Sequence, residues 1–132
     1  MSITDRFASQ APRILSVFRF LAGVMFACHG SQKLFGFFGA MPPGVPKHII
    51  YVAGGIEFFG GILIAIGLLT RPAAFLASGL MAFAYFMGHA PNGFWPKQNQ
   101  GELAIFYCWL FLYIAAAGPG AWALDNLFRR KP

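Results

Sequence analysis

Six ionisable side chains interrupt stretches that are otherwise apolar: Arg19, His29, Lys33, Glu57, His89 and Glu102. Such groups are costly in hydrocarbon unless they face a protein interior, pair with one another or reach an interface, so their positions carry most of the functional information. Arg19, Phe26, His29 and Lys33 fall on one helical stripe, with Gln32 beside it. A carboxylate (Glu57) and an imidazole (His29) at one depth can relay protons. With Tyr85 and Gln32 as donors beside aromatic walls, they can also hold a quinone headgroup, whose carbonyls accept hydrogen bonds and whose reduction consumes protons. The structural alternative is that Glu57 only pairs with Lys33 or His29 and locks helix register, while Lys33 and Arg19 snorkel to the interface.

Other chemistries fit less well. Haem between His29 and His89 is disfavoured, because a depth difference of roughly four residues makes coaxial ligation awkward. No tight His/Cys cluster suggests a metal. Cys28 and Cys108 both fall in apolar runs and read as buried thiols, with neither a disulfide framework nor zinc-ribbon spacing. A phosphate-binding Gly-rich loop, a nucleophile elbow and a nucleotide fingerprint are all missing from the sequence.

The elements that must position these residues follow from composition. Of 132 residues 58% are hydrophobic and only 11% charged, so the chain is predicted to fold in a bilayer as one membrane domain, 1–132. The net charge of +6 lies mostly beside apolar runs, which favours lipid headgroups over nucleic acid as its counterpart. A span needs about 20 apolar residues. Four segments meet or approach that length, at about 13–35, 49–69, 72–89 and 102–117, which predicts an all-α bundle of four transmembrane helices. Ile14 to Cys28 resembles a signal h-region, but no A-x-A site follows, so it is read as a retained helix. Ile3 and Phe7 suit either a short interfacial helix or a disordered tail.

With both ends cytoplasmic, the inner side carries Arg6, Arg13, Arg71, Arg129, Arg130 and Lys131 and the outer side only Lys33, Lys47 and Lys97, which predicts an N-in/C-in topology. Counting from span midpoints near Val24, Phe59, Leu80 and Leu110 puts His29, Glu57 and Tyr85 just into the outer half. Gln32, Lys33, His89 and Glu102 come out one to two turns higher. Small residues accompany Glu57 in the series Ala53, Glu57, Gly61, Ala65. Ala77, Met81, Tyr85 and His89 form a line on the third helix, and Glu102, Phe106, Trp109 and Tyr113 an arc on the fourth. The expectation is an outer-half polar pocket lined by His29, Gln32, Lys33, Glu57, Tyr85, His89 and Glu102.

The runs Cys28-His29-Gly30-Ser31-Gln32-Lys33, Gly55-Ile56-Glu57-Phe58-Phe59-Gly60-Gly61, Leu69-Thr70-Arg71-Pro72, His89-Ala90-Pro91-Asn92-Gly93 and Gly101-Glu102, in this order, resemble the DoxX family of bacterial membrane proteins. The similarity extends from about Arg19 to Asp125. It implies a multi-pass, four-helix protein of the bacterial inner (plasma) membrane. The family is named for resemblance to a subunit associated with an archaeal quinol oxidase and thiosulfate:quinone oxidoreductase, so it also implies a link to membrane redox chemistry. The matching positions include His29, Gln32, Lys33, Glu57, Arg71, Pro72, His89, Asn92, Gly93 and Glu102.

Two functions compete. One is a redox-associated protein, a component of a quinone-linked oxidoreductase system, whose pocket takes a quinone or similar small molecule. The other is an accessory or scaffold subunit without its own catalysis. It would pack the faces Ala53, Gly61, Ala65 and Ala74, Ser78, Ala82 against a membrane or redox protein partner, or against further copies of itself. A solute or proton carrier is weaker, since four helices leave little room for alternating access.

Overall fold

A computed structural model describes residues 1–129, all of whose regular elements are helices. Arg130 and Lys131, counted above for orientation, lie outside the described residues. A short α1 (Ile3–Ala8) opens the chain, nucleated by a capping box. The Ser2 hydroxyl accepts from the Asp5 amide at 3.1 Å, and the Asp5 carboxylate accepts from the Ser2 amide at 3.0 Å. Of the two readings of this arm, helix is the one realised. Ile3 and Phe7 share one exposed face of it.

Three helices are long and apolar enough to cross a membrane: α2 (Ala11–Phe35), α3 (Lys47–Ile66) and α4 (Thr70–Asn92). After the short α5 (Pro96–Asn99) comes α6 (Glu102–Ala117), apolar but only 16 residues long, and then a single-turn α7 (Asp125–Phe128). At 1.5 Å per residue α6 reaches about 24 Å, against a hydrocarbon core of about 30 Å. The second predicted span closes three residues early, because Gly67 (φ 72°) and Leu69 (φ 49°) turn left-handed. The third opens two residues early, because the Asp125 carboxylate accepts from the Leu69 and Thr70 amides at 2.8 and 2.9 Å and supplies the cap that local sequence lacks.

The helices pack as two close pairs, α2 with α3 and α4 with α6. In the first pair backbone meets backbone. A Cβ on Gly23 would lie 2.5 Å from the Ala65 amide nitrogen and 2.6 Å from the Gly61 carbonyl, and Gly30 repeats the arrangement further along, against the Phe58 amide nitrogen and the Gly54 carbonyl. In the second pair Ala73, Ala74 and Ala77 of α4 are buried with Ala104, Phe111 and Ile114 of α6, and Ser78 donates to the Cys108 carbonyl at 2.7 Å. Phe26 locks the pairs together, its ring 4.8 Å from Phe111 and 5.5 Å from Tyr107.

Most of the small-residue faces on which the scaffold reading rested are therefore used inside the chain. Gly61, Ala65, Ala74 and Ser78 are buried within the monomer, leaving Ala53 and Ala82 half-covered. Both α3 and α4 contain one wide π turn, over Ile56–Gly60 and Tyr85–His89. These turns shift the helical phase, so on α3 the buried series is Gly54, Glu57, Gly61, Ala65, not one starting at Ala53. Cys28 is exposed, contrary to the buried reading, and Cys108 is half-buried.

Candidate functional site

Four of the seven predicted pocket residues meet in one cavity of about 260 Å³ between the two helix pairs: His29 and Lys33 from α2, Glu57 from the π turn of α3 and His89 from that of α4. Phe26, Met81, Ala84, Leu103 and Ala104 complete its apolar walls, and Gln100 stands with them. Glu57 is 4% exposed, and its Oε2 lies 2.7 Å from the Lys33 ammonium. This is a charge contact without hydrogen-bond alignment, since Oε2 has no aligned donor among the described residues. The Lys33–Glu57 pairing of the structural alternative is thus realised, and it stands inside the cavity.

His89 is held from behind. Its Nδ1 lies 3.1 Å from the Asn99 carbonyl, which can only accept, so Nδ1 carries the proton and Nε2 is the basic nitrogen. Asn99 is itself buried. Its side chain donates to the Gly93 carbonyl at 2.9 Å and to the Tyr85 hydroxyl at 3.3 Å, and accepts from the Gly101 amide at 2.8 Å. One side chain therefore shapes the whole loop from Gly93 to Gly101.

The structure brings in a residue that sequence reasoning missed. Tyr107 is 5% exposed and lines the cavity, its ring edge-on to His29 at 6.3 Å between centroids. Its hydroxyl is buried with no partner among the described residues. Buried phenols nearly always bond something, so an idle one on a cavity wall marks a donor awaiting an acceptor.

Three predicted residues stand elsewhere. Gln32 lines a separate recess of about 280 Å³ with Lys33, Lys47 and Tyr51. Tyr85 packs behind His89, their rings stacked with centroids 6.4 Å apart. Glu102 is exposed at the start of α6. The arc of Glu102, Phe106, Trp109 and Tyr113 on α6 faces outward, with Phe106, Trp109 and Tyr113 all exposed, while Ala104, Tyr107, Phe111 and Ile114 face in.

Arg19 lies far from this cavity, 3% exposed, at the end of the bundle near the C-terminus. Its guanidinium donates to the carbonyls of Pro119 (2.6 Å), Trp122 (2.8 Å) and Ala65 (3.3 Å). The Trp122 amide donates to Ser16 Oγ at 2.9 Å, and the Asp125 amide to the Gly67 carbonyl at 2.8 Å. Residues 118–126 are thereby fastened across the ends of α2 and α3. Arg19 does not snorkel: it clamps this segment from below.

An all-helical protein with three membrane-length helices and a polar cavity among them is a multi-pass membrane protein. The sequence pattern of the DoxX family matches residues 14–90, more than half of the chain, and the chain belongs to that family. It is 44% identical over 126 residues to a protein of Haemophilus influenzae described as uncharacterized, covering 91% of this chain and 94% of that one. It is 29% identical over 119 residues to the inner membrane protein YqjF of Escherichia coli, covering 87% and 92%. A shorter stretch of 59 residues is 39% identical to the putative oxidoreductase CatD of Bacillus subtilis, covering 40% of this chain and 42% of that one. No solved structure matches the chain. Family membership and these relatives make it a multi-pass protein of the bacterial inner membrane.

Proposed function

We propose that this chain is a single membrane domain of four spans with both termini cytoplasmic, α6 being the fourth, and that its cavity binds the carbonyl-bearing headgroup of a quinone in the outer half of the bilayer. The observation that carries this reading is the Tyr107 hydroxyl, buried and unpartnered on the wall that Lys33, Glu57, His29 and His89 share. A quinone carbonyl supplies the acceptor the phenol lacks, and Lys33 offers a second donor. Glu57, His29 and the free Nε2 of His89 can then exchange the protons that quinone reduction consumes. A cavity of about 260 Å³ lies just under the roughly 300–1,000 Å³ of whole-ligand sites, so the ring enters and the isoprenoid tail stays in lipid. The oxidoreductase name of the Bacillus relative agrees with a redox role. Because the small-residue faces are spent internally, the scaffold alternative has no comparable support.

The test is lipid extraction of protein purified from its membrane, followed by titration with a short-tailed quinone. Saturation at about 100 times Kd should stabilise the fold by about 2.7 kcal/mol, read as a rise in Tm. Tyr107→Phe and Glu57→Gln should shrink that rise while leaving the helical content intact. If extracts contain no quinone and added quinone moves neither Tm nor tryptophan fluorescence, the reading fails.

A further inference from the structure

At the opposite end of the bundle from Glu57 lies a further polar recess, of about 320 Å³, which the quinone reading leaves unexplained. Arg71, Arg129, Tyr113 and Asn126 line it together with apolar Leu15 and Pro119. None of its lining residues is acidic.

Arg71 projects from the first turn of α4 to the last turn of α6, where Nη1 donates to the Ala115 and Ala116 carbonyls at 2.9 and 2.6 Å. Those two bonds use both Nη1 hydrogens and fix the guanidinium plane. Among the described residues the other edge, Nη2 and Nε, has no hydrogen-bond partner. That edge is a two-pronged donor of the kind that grips phosphate oxygens, already held in place before any ligand arrives. Arg129 adds a second positive charge. Asp125 has both carboxylate oxygens engaged by the Leu69 and Thr70 amides. Asn126 is likewise occupied, donating to the Gly120 and Ala121 carbonyls at 2.9 and 3.0 Å, so it braces the wall and leaves the anion to the arginines.

The recess sits at the start of α4 and the end of α6, where their apolar runs stop, which is headgroup depth in the four-span arrangement proposed above. The exposed Ile14, Val17 and Phe18 of α2 leave apolar surface on the same end of the bundle for acyl chains. We infer that this recess binds the phosphate of an anionic phospholipid, gripped between Arg71 and Arg129. Basic pockets between helix ends recognise acidic headgroups in just this way.

The experiment uses the full chain in nanodiscs of equal phosphatidylglycerol and phosphatidylcholine, with native mass spectrometry counting the lipids that stay bound on release. The expected result is preferential retention of phosphatidylglycerol. Arg129→Gln should cut that retention about five-fold, the worth of one cation at a membrane surface. Arg71→Lys, which keeps the charge and loses the fork, should cut it as well, whereas Lys97→Gln at the other end should change nothing. Millimolar inorganic phosphate should not displace the lipid. Equal retention of the two lipids, or unchanged retention in both arginine variants, would overturn the inference. Displacement by inorganic phosphate would overturn it too, by making the recess a site for a soluble anion.

Discussion

The Lys33–Glu57 contact allows an asymmetric and therefore demanding prediction. The Glu57 side chain is 5% exposed and the Lys33 side chain 16%, with 2.7 Å between the charged atoms. Deleting one member of a fully buried pair typically costs about 3–5 kcal/mol, because the survivor is left charged and undersolvated. The two survivors here are not equivalent. With Glu57→Gln, the Lys33 ammonium can swing into the recess it also lines beside Gln32 and Lys47 and regain water, so the cost should fall to about 2 kcal/mol. With Lys33→Met, the Glu57 carboxylate has no such exit and should cost about 3–4 kcal/mol. The double variant removes both charges and should return to within about 1–2 kcal/mol of the parent, giving a coupling of about 4 kcal/mol. Unfolding in mixed detergent micelles, monitored by tryptophan fluorescence for all four proteins, measures the cycle. Additive single effects, or Glu57→Gln costing more than Lys33→Met, would refute the argument.

Two further predictions concern the frame around the site. Gly30→Ala should destabilise by about 1–3 kcal/mol, since its Cβ would drive into the backbone of Gly54 and Phe58, whereas Gly79→Ala, which meets open space, should be neutral or stabilising; melting curves of the two variants decide it. At Asp125 burial by itself raises the pKa, but the hydrogen bonds from Thr70 and Leu69 and the nearby Arg129 outweigh it and hold the carboxyl below its ordinary 3.8. A lowered folded-state pKa contributes stability above 3.8 that drains away as pH falls through the folded value. Asp125→Ala should thus cost about 1 kcal/mol at neutral pH and flatten the acid limb of the stability profile; an unchanged acid limb would exclude the cap.

The legibility of this chain divides along physical lines. Helix positions were readable within two or three residues, because apolar run length and Pro/Gly breaks are local signals. His29, Lys33, Glu57 and His89 were readable as a group, since ionisable residues in apolar runs at matching depth have few other places to go. The face of α6 was not. That helix is apolar all round, so no polar edge fixes its phase, and its orientation is set by how Ala104, Phe111 and Ile114 fit the alanines of α4, which is a tertiary fact. Tyr107 was lost with that phase. The π turns escaped for a related reason: one wide turn changes which residues face inward without a breaker residue to announce it, and it moved Tyr85 behind His89. The role of Arg19 is hidden because its partners are backbone carbonyls 46, 100 and 103 positions away, which leave no trace in side-chain chemistry.

The clamp at Arg19 also sets an order of events during biosynthesis. The guanidinium enters the membrane early, yet the carbonyls of Pro119 and Trp122 are polymerised 100 and 103 residues later. At about 5–20 residues per second the ribosome needs roughly 5–20 s to make them, during which only the Ala65 carbonyl of the three acceptors is available. The clamp on the first helix can close fully only after residues 119–122 have been made. A prematurely terminated product would keep a stranded cation at the start of its first span, a ready mark by which membrane proteases could tell unfinished copies from finished ones.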